Sequence, residues 1–152
     1  MISKTSSSLI VCLIVASVGV AFAAGGGDEA IKARQANMKA NVAGLGVMVP
    51  MVKGEKPYDA AAVQAALAGM EKSGADWAHF WPEDSKTSTT LKTRAAGAIW
   101  TDPKGFEAAS AAYWAAFTAL KATKDEASFK AAFPALGKGC GGCHEKFRTA
   151  EQ

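Results

Sequence analysis

Apolar side chains recur every three or four residues along four segments of this 152-residue chain, and after residue 24 they nowhere alternate as in a half-buried strand. In the first segment Ile31, Met38, Val42, Leu45 and Val49 follow at spacings of seven, four, three and four, so they share one helical face that should meet a core. Asp28 and Glu29, just after three glycines, suit the positive end of that helix. Pro50 predicts a kink or an early end before the break over 54–57.

Asp59 reads as the N-cap of a second helix carrying Val63, Leu67, Met70 and Trp77, which should stop before Pro82. The polar stretch 83–90 has no apolar period and reads as a long crossover, and 91–99 leaves room for one short helix. Asp102-Pro103 starts a third helix, because Asp caps while Pro at the first position gives up a donor that has no partner there. Phe106, Ser110, Tyr113, Phe117 and Leu120 continue it, with Lys121 and Lys124 at its negative end. Asp125 opens a fourth helix with Phe129, Phe133, Leu136, Cys140, Cys143 or His144, and Phe147 in period; Pro134 should bend it or delay its start. The fold class is therefore all-α, a four-helix bundle of one domain.

Residues 1–23 stand apart from that domain, which occupies 24–152. Lys4 is the only charge before a mainly apolar run over 9–24, too short to span a bilayer comfortably and ending in the small-x-small pattern Ala21-Phe22-Ala23. This reads as a signal peptide cleaved near Ala24, with Cys12 leaving alongside it and no membrane anchor remaining. Cleavage removes one lysine and no acid, so the formal charge of +3 drops by one, an excess too weak to suggest nucleic acid. Only two cysteines stay in the exported chain, which excludes a disulfide scaffold.

Those two stand in Cys140-Gly-Gly-Cys143-His144. Two thiols about a helical turn apart can each add to a vinyl group of a porphyrin, and the following histidine then offers an axial imidazole to the iron. A redox dithiol would instead follow a strand, with one thiolate stabilised by a helix N-terminus; here the motif ends a helical pattern. Zinc would ask for four ligands, and beyond the motif the chain offers His79 and carboxylates. Covalent haem c is the reading the motif favours. His79 and the four tryptophans, Trp77, Trp81, Trp100 and Trp114, need no part in it beyond packing and helix ends.

Together with Arg34-Gln35-x-x-Met38, Lys53-Gly54-x-x-Pro57-Tyr58-Asp59 and Cys140-x-x-Cys143-His144-x-x-x-Arg148, the C-terminal motif makes the chain resemble the class II cytochromes c, the family of cytochrome c′ and its low-spin, methionine-ligated relatives. The resemblance covers essentially all of 24–152. It implies an antiparallel four-helix bundle with one covalently attached haem, a periplasmic location, and pairing into a homodimer through the first two helices. It also implies that Met38 occupies the distal position, where some members supply a methionine sulfur to the iron and others leave the site open. Arg34 and Gln35 become haem-pocket candidates, Arg34 toward a propionate, and Arg148 is placed to reach back over the proximal side.

Two functions follow, neither of them an enzyme. With Met38 bound, the protein is a periplasmic electron carrier serving redox partner proteins; with the distal face open, it binds nitric oxide or carbon monoxide. The residues leave both standing.

Overall fold

Three aspartates set the helix starts. The Asp59 carboxylate accepts from the Ala62 N–H at 3.0 Å, Asp102 from Gly105 at 3.0 Å, and Asp125 from Ser128 at 2.8 Å. Ser128 Oγ in turn accepts from the Asp125 N–H, completing a capping box. The computed structural model describes residues 26–150, so the leader over 1–23 and Cys12 lie outside the described residues. Within them run α1 (Gly27–Val52), α2 (Ala60–Ser73), the single-turn α3 (Ala98–Thr101), α4 (Pro103–Lys121) and α5 (Glu126–Phe147). Alpha-helix α1 packs on α2 and α4 on α5, and the four long helices form the antiparallel bundle. None of the described helices is long and apolar enough to cross a membrane.

The sealed core fills one end of the bundle with Met48 and Met51 of α1, Val63, Leu67 and Met70 of α2, Phe117 and Leu120 of α4, and Phe129 and Leu136 of α5. Burying side chains of this size contributes roughly 1.5–3 kcal/mol each. The α1–α2 crossing is close because Gly44 has no side chain: a Cβ there would lie 2.5 Å from the Met70 sulfur.

The expected stripe on α1 has the right period, but a different face is sealed. Its buried residues include Ile31, Arg34, Asn37, Gly44, Met48 and Met51, whereas Val42 is 68% exposed. Met38, Val42 and Leu45 instead line a cavity, so part of the apolar stripe serves a concave wall rather than a helix contact. Helix α2 ends at Ser73, earlier than its period suggested. At Gly74 a Cβ would stand 3.1 Å from the Trp114 ring, and Trp77 sits in a separate 3-10 turn, Trp77–His79. Both internal prolines are accommodated: α1 runs through Pro50 to Val52, and α5 starts directly after Asp125 and runs through Pro134. The short helix allowed over 91–99 is reduced to α3.

Between α2 and α3 the crossover is fastened to α1 by one buried guanidinium. Arg34 Nη1 donates to Phe80 O and Ser85 Oγ, both at 2.7 Å, and Nη2 donates to Ser85 O at 2.9 Å and Thr93 Oγ1 at 3.3 Å. The same group lies 5.0 Å from the centre of the Trp81 ring. Next to it, Gln35 Nε2 donates to Lys92 O at 2.7 Å. The far end of the crossover is stitched to the end of α5: Ala96 N–H donates to Phe147 O at 3.1 Å, Thr149 N–H to Arg94 O at 2.9 Å, and Ala95 bridges Arg148.

Candidate haem site

Helices α1 and α5 touch each other sparsely, and the space between them is a cavity of about 540 Å³, within the roughly 300–1,000 Å³ usual for cofactor sites. Continuing the period of its buried residues Phe129 and Leu136, α5 brings Cys140, Cys143 and His144 to the cavity wall. From α1 come Arg34, Gln35, Met38, Asn41, Val42 and Leu45; the crossover adds Trp77, Trp81 and 92–95; α4 adds Phe106, Tyr113 and Trp114. All seven site residues expected from the sequence, Cys140, Cys143, His144, Met38, Arg34, Gln35 and Arg148, therefore border one space, contributed by two helices far apart in the chain.

The motif glycines are not there for room inside the site. Gly141 and Gly142 are exposed, and a Cβ on either would meet nothing within 4 Å. Gly139 is the constrained one: its Cβ would lie 3.0 Å from Tyr113 Cα, so a bare backbone lets α4 approach the attachment turn.

Cys140 and Cys143 form no disulfide with each other and are partly buried, and before attachment burial pushes both thiol pKa values up; for Cys143 the charge of Cys140 adds to the effect. A catalytic dithiol needs the opposite shift, and the motif lies deep in α5, away from the helix N-terminus that would supply it. Zinc fares no better, because among the described residues no three of His, Cys, Asp and Glu are placed to hold a metal ion between them, and Cys140, Cys143 and His144 lack the fourth ligand of a structural site. Burial lowers the pKa of His144, and the charges of Arg148 and Arg94 lower it further, which favours the neutral imidazole that ligates metal. Burial, with Cys140 nearby, pushes the Tyr113 hydroxyl up to about 12.

A family model described as cytochrome C′ matches residues 29–148. Cytochrome c-556 of Rhodopseudomonas palustris is 35% identical over 133 residues, covering 82% of this chain and 85% of that one. A cytochrome c′ from the same organism is 34% identical over 147 residues, covering 96% and 97%. The chain belongs to the cytochrome c′ family of class II c-type cytochromes. Its bundle superposes on crystalline cytochrome c′ from Rubrivivax gelatinosus with a TM-score of 0.75 at 29% identity, covering 82% of this chain and 98% of that one.

As a member of this family the protein binds one covalently attached haem c and serves electron transfer. The cavity of this cytochrome fits such a group. Its walls are mainly apolar, as a porphyrin ring requires, and two thiols and an imidazole stand together on one helix. The charged residues lining it, Arg34, Lys92, Arg94 and Arg148, are all basic, with no Asp or Glu among them, which complements the carboxylates that haem carries.

Sequence reasoning missed Asn37, Asn41, Trp81 as an Arg34 platform, and residues 92–95. Asn37 and Asn41 carry a visible signal, two amides one turn apart flanking Met38 on neighbouring positions of the helix. The crossover carries none, because its place over α1 depends on Arg34 finding main-chain carbonyls.

Proposed function

We propose that this protein is a methionine-ligated electron carrier in which Cys140 and Cys143 form the thioethers, His144 is the proximal iron ligand and Met38 the distal one. The observation that carries the reading is the convergence of Met38 on α1 with Cys140, Cys143 and His144 on α5 at one cavity. Haem supplies the one-electron iron couple; the chain supplies its ligands and surroundings. The thiols sit about one turn apart on one helix and would hold the haem at two points, and His144, the next residue, would supply its imidazole to the iron. A neutral imidazole and a neutral thioether would add no negative charge to offset the extra positive charge of ferric haem, and the mainly apolar walls would disfavour that charge as well, both of which would favour the reduced state. Arg34 lines the cavity with its guanidinium already committed to the crossover, so it acts on a propionate from a fixed position. Arg148 borders the proximal side, where its charge already lowers the His144 pKa. We assign no bond-making catalysis to the chain.

Residues 1–23 are read as a cleaved signal peptide and the mature protein, 24–152, as periplasmic, exchanging electrons with partner proteins and pairing through α1 and α2. The absorption spectrum of the holoprotein tests the ligand set, ferric and ferrous, with and without carbon monoxide. A low-spin spectrum indifferent to the gas is expected, and a high-spin spectrum that shifts on adding it would refute Met38 ligation. Met38→Leu should convert the first behaviour into the second, and His144→Ala should alter the spectrum in both oxidation states.

A further inference from the structure

Because α1 and α5 touch sparsely, the spacing between Met38 and His144 is set through other elements. Ser73 of α2 accepts from Asn37 Nδ2 at 2.9 Å and its own hydroxyl donates to Met70 O at 2.8 Å. Asn41 Nδ2 donates to Asn37 Oδ1 at 3.4 Å, and Asn41 Oδ1 accepts from the Tyr113 hydroxyl of α4 at 3.5 Å. Tyr113 in turn abuts Gly139 of α5, one residue before Cys140. A polar strut therefore runs from α2 through α1 to α4 and ends against the helix that bears the attachment motif.

Two properties make this strut more than filler. Asn37 is only 4% exposed and is one of three buried polar residues among those described, with Arg34 and Ser85. A buried amide costs free energy that an apolar residue would not, and the best-attested return on that cost is a fixed register. Helix α1 needs such a device. Near Met38 the inward-facing positions of α1 include Ala40 and Gly44, which offer no large side chain to interlock with a neighbour, and apolar contact is non-directional. Asn37 and Asn41 stand one residue before and three after Met38, so the bonds they make set the direction of the side chain between them.

We propose that Asn37 and Asn41 are positioning residues: tied to Ser73 and Tyr113, they fix the rotation of α1 that holds the Met38 thioether at the distal face of the haem. This inference rests on the assignment of Met38 as distal ligand. An iron–sulfur bond tolerates misplacement of only about 0.5 Å, so loss of rotational definition in α1 weakens it without unfolding the bundle.

The test compares holoprotein variants Met38→Leu, Asn37→Leu, Asn41→Leu and Tyr113→Phe with Val63→Ala, a buried position of α2 that does not line the cavity. The readouts are the sulfur-to-iron charge-transfer band of the ferric protein, its low-spin fraction, and carbon monoxide binding after reduction. Asn37→Leu and Asn41→Leu should lower the ratio of low- to high-spin protein by about 10- to 100-fold and admit carbon monoxide, with a smaller change in Tyr113→Phe. Val63→Ala should lower the melting temperature and leave the band unchanged. If Met38→Leu abolishes the band while both asparagine variants keep it, the positioning role is wrong and the ligand assignment stands. If Met38→Leu leaves the spectrum unchanged, the assignment fails and the inference fails with it. A band lost equally in Val63→Ala would also overturn the proposal, since general loosening would then suffice. Should Asn37→Leu not fold, Asn41→Leu and Tyr113→Phe decide the matter at the cavity edge.

Discussion

Replacing Arg34 by methionine should cost about 3 kcal/mol of stability, for reasons that can be counted. The side chain is 5% exposed and supplies hydrogen bonds to Phe80 O, Ser85 O, Ser85 Oγ and Thr93 Oγ1. Ser85 Oγ keeps its bond to Pro82 O, and Thr93 Oγ1 still accepts from the Ala95 N–H. The two main-chain carbonyls have no other donor among the described residues. An orphaned buried acceptor costs about 1–3 kcal/mol, so two give about 2–6 kcal/mol. Part is recovered because the buried cation, whose pKa burial lowers, no longer has to be desolvated, and methionine fills much of the volume. For a domain of this size about 3 kcal/mol corresponds to a fall in melting temperature of about 6–12 °C. Thermal unfolding followed by helical circular dichroism, at matched haem content, measures it. Arg34→Lys should fall between, because one ammonium cannot hold both carbonyls in the geometry of the planar fork. Proteolysis within 83–93 should accelerate in both variants. A loss below about 1 kcal/mol in Arg34→Met, with the crossover still protected, would refute the view that this guanidinium fastens it.

Leu136→Ala empties a fully buried site between α5 and the core and should destabilise the protein by about 2–5 kcal/mol in denaturant unfolding. Gly139→Ala should displace α4 at Tyr113 and reduce the yield of haem-loaded protein, whereas Gly141→Ala, with open space around it, should leave the yield unchanged. Asp102 caps α4 and receives the ammonium of Lys146 on α5; that bond first, and the Gly105 N–H second, hold its carboxyl below 3.8. A depressed folded pKa stabilises the fold above the unfolded value and stops doing so as pH falls through the folded one. The melting temperature of the wild type should therefore drop more than that of Asp102→Asn on acidification below about pH 4, and parallel curves would remove the linkage.

Much of this protein was legible as sequence because its strongest signals are local. A helix period, an aspartate one residue ahead of each of three helices and a five-residue attachment motif each act within a few residues, so the starts of α2, α4 and α5 and the cluster of Cys140, Cys143 and His144 followed directly. What the tertiary structure decided is what depends on partners distant in the chain. Period shows that Met38, Val42 and Leu45 share a face of α1, but not that the face lines a cavity while Met48 and Met51 enter the sealed core. The end of α2 is set at Gly74 by a tryptophan from α4, and Pro50 and Pro134 are tolerated within helices that packing holds in place. Nothing local in the sequence shows that Arg34 is buried; it clamps the crossover because a guanidinium presents several donors and the crossover brings acceptors within 3.3 Å of it. Local spacing determined the attachment residues Cys140, Cys143 and His144, the family resemblance pointed to Met38, Arg34, Gln35 and Arg148, and long-range packing determined where each of them stands.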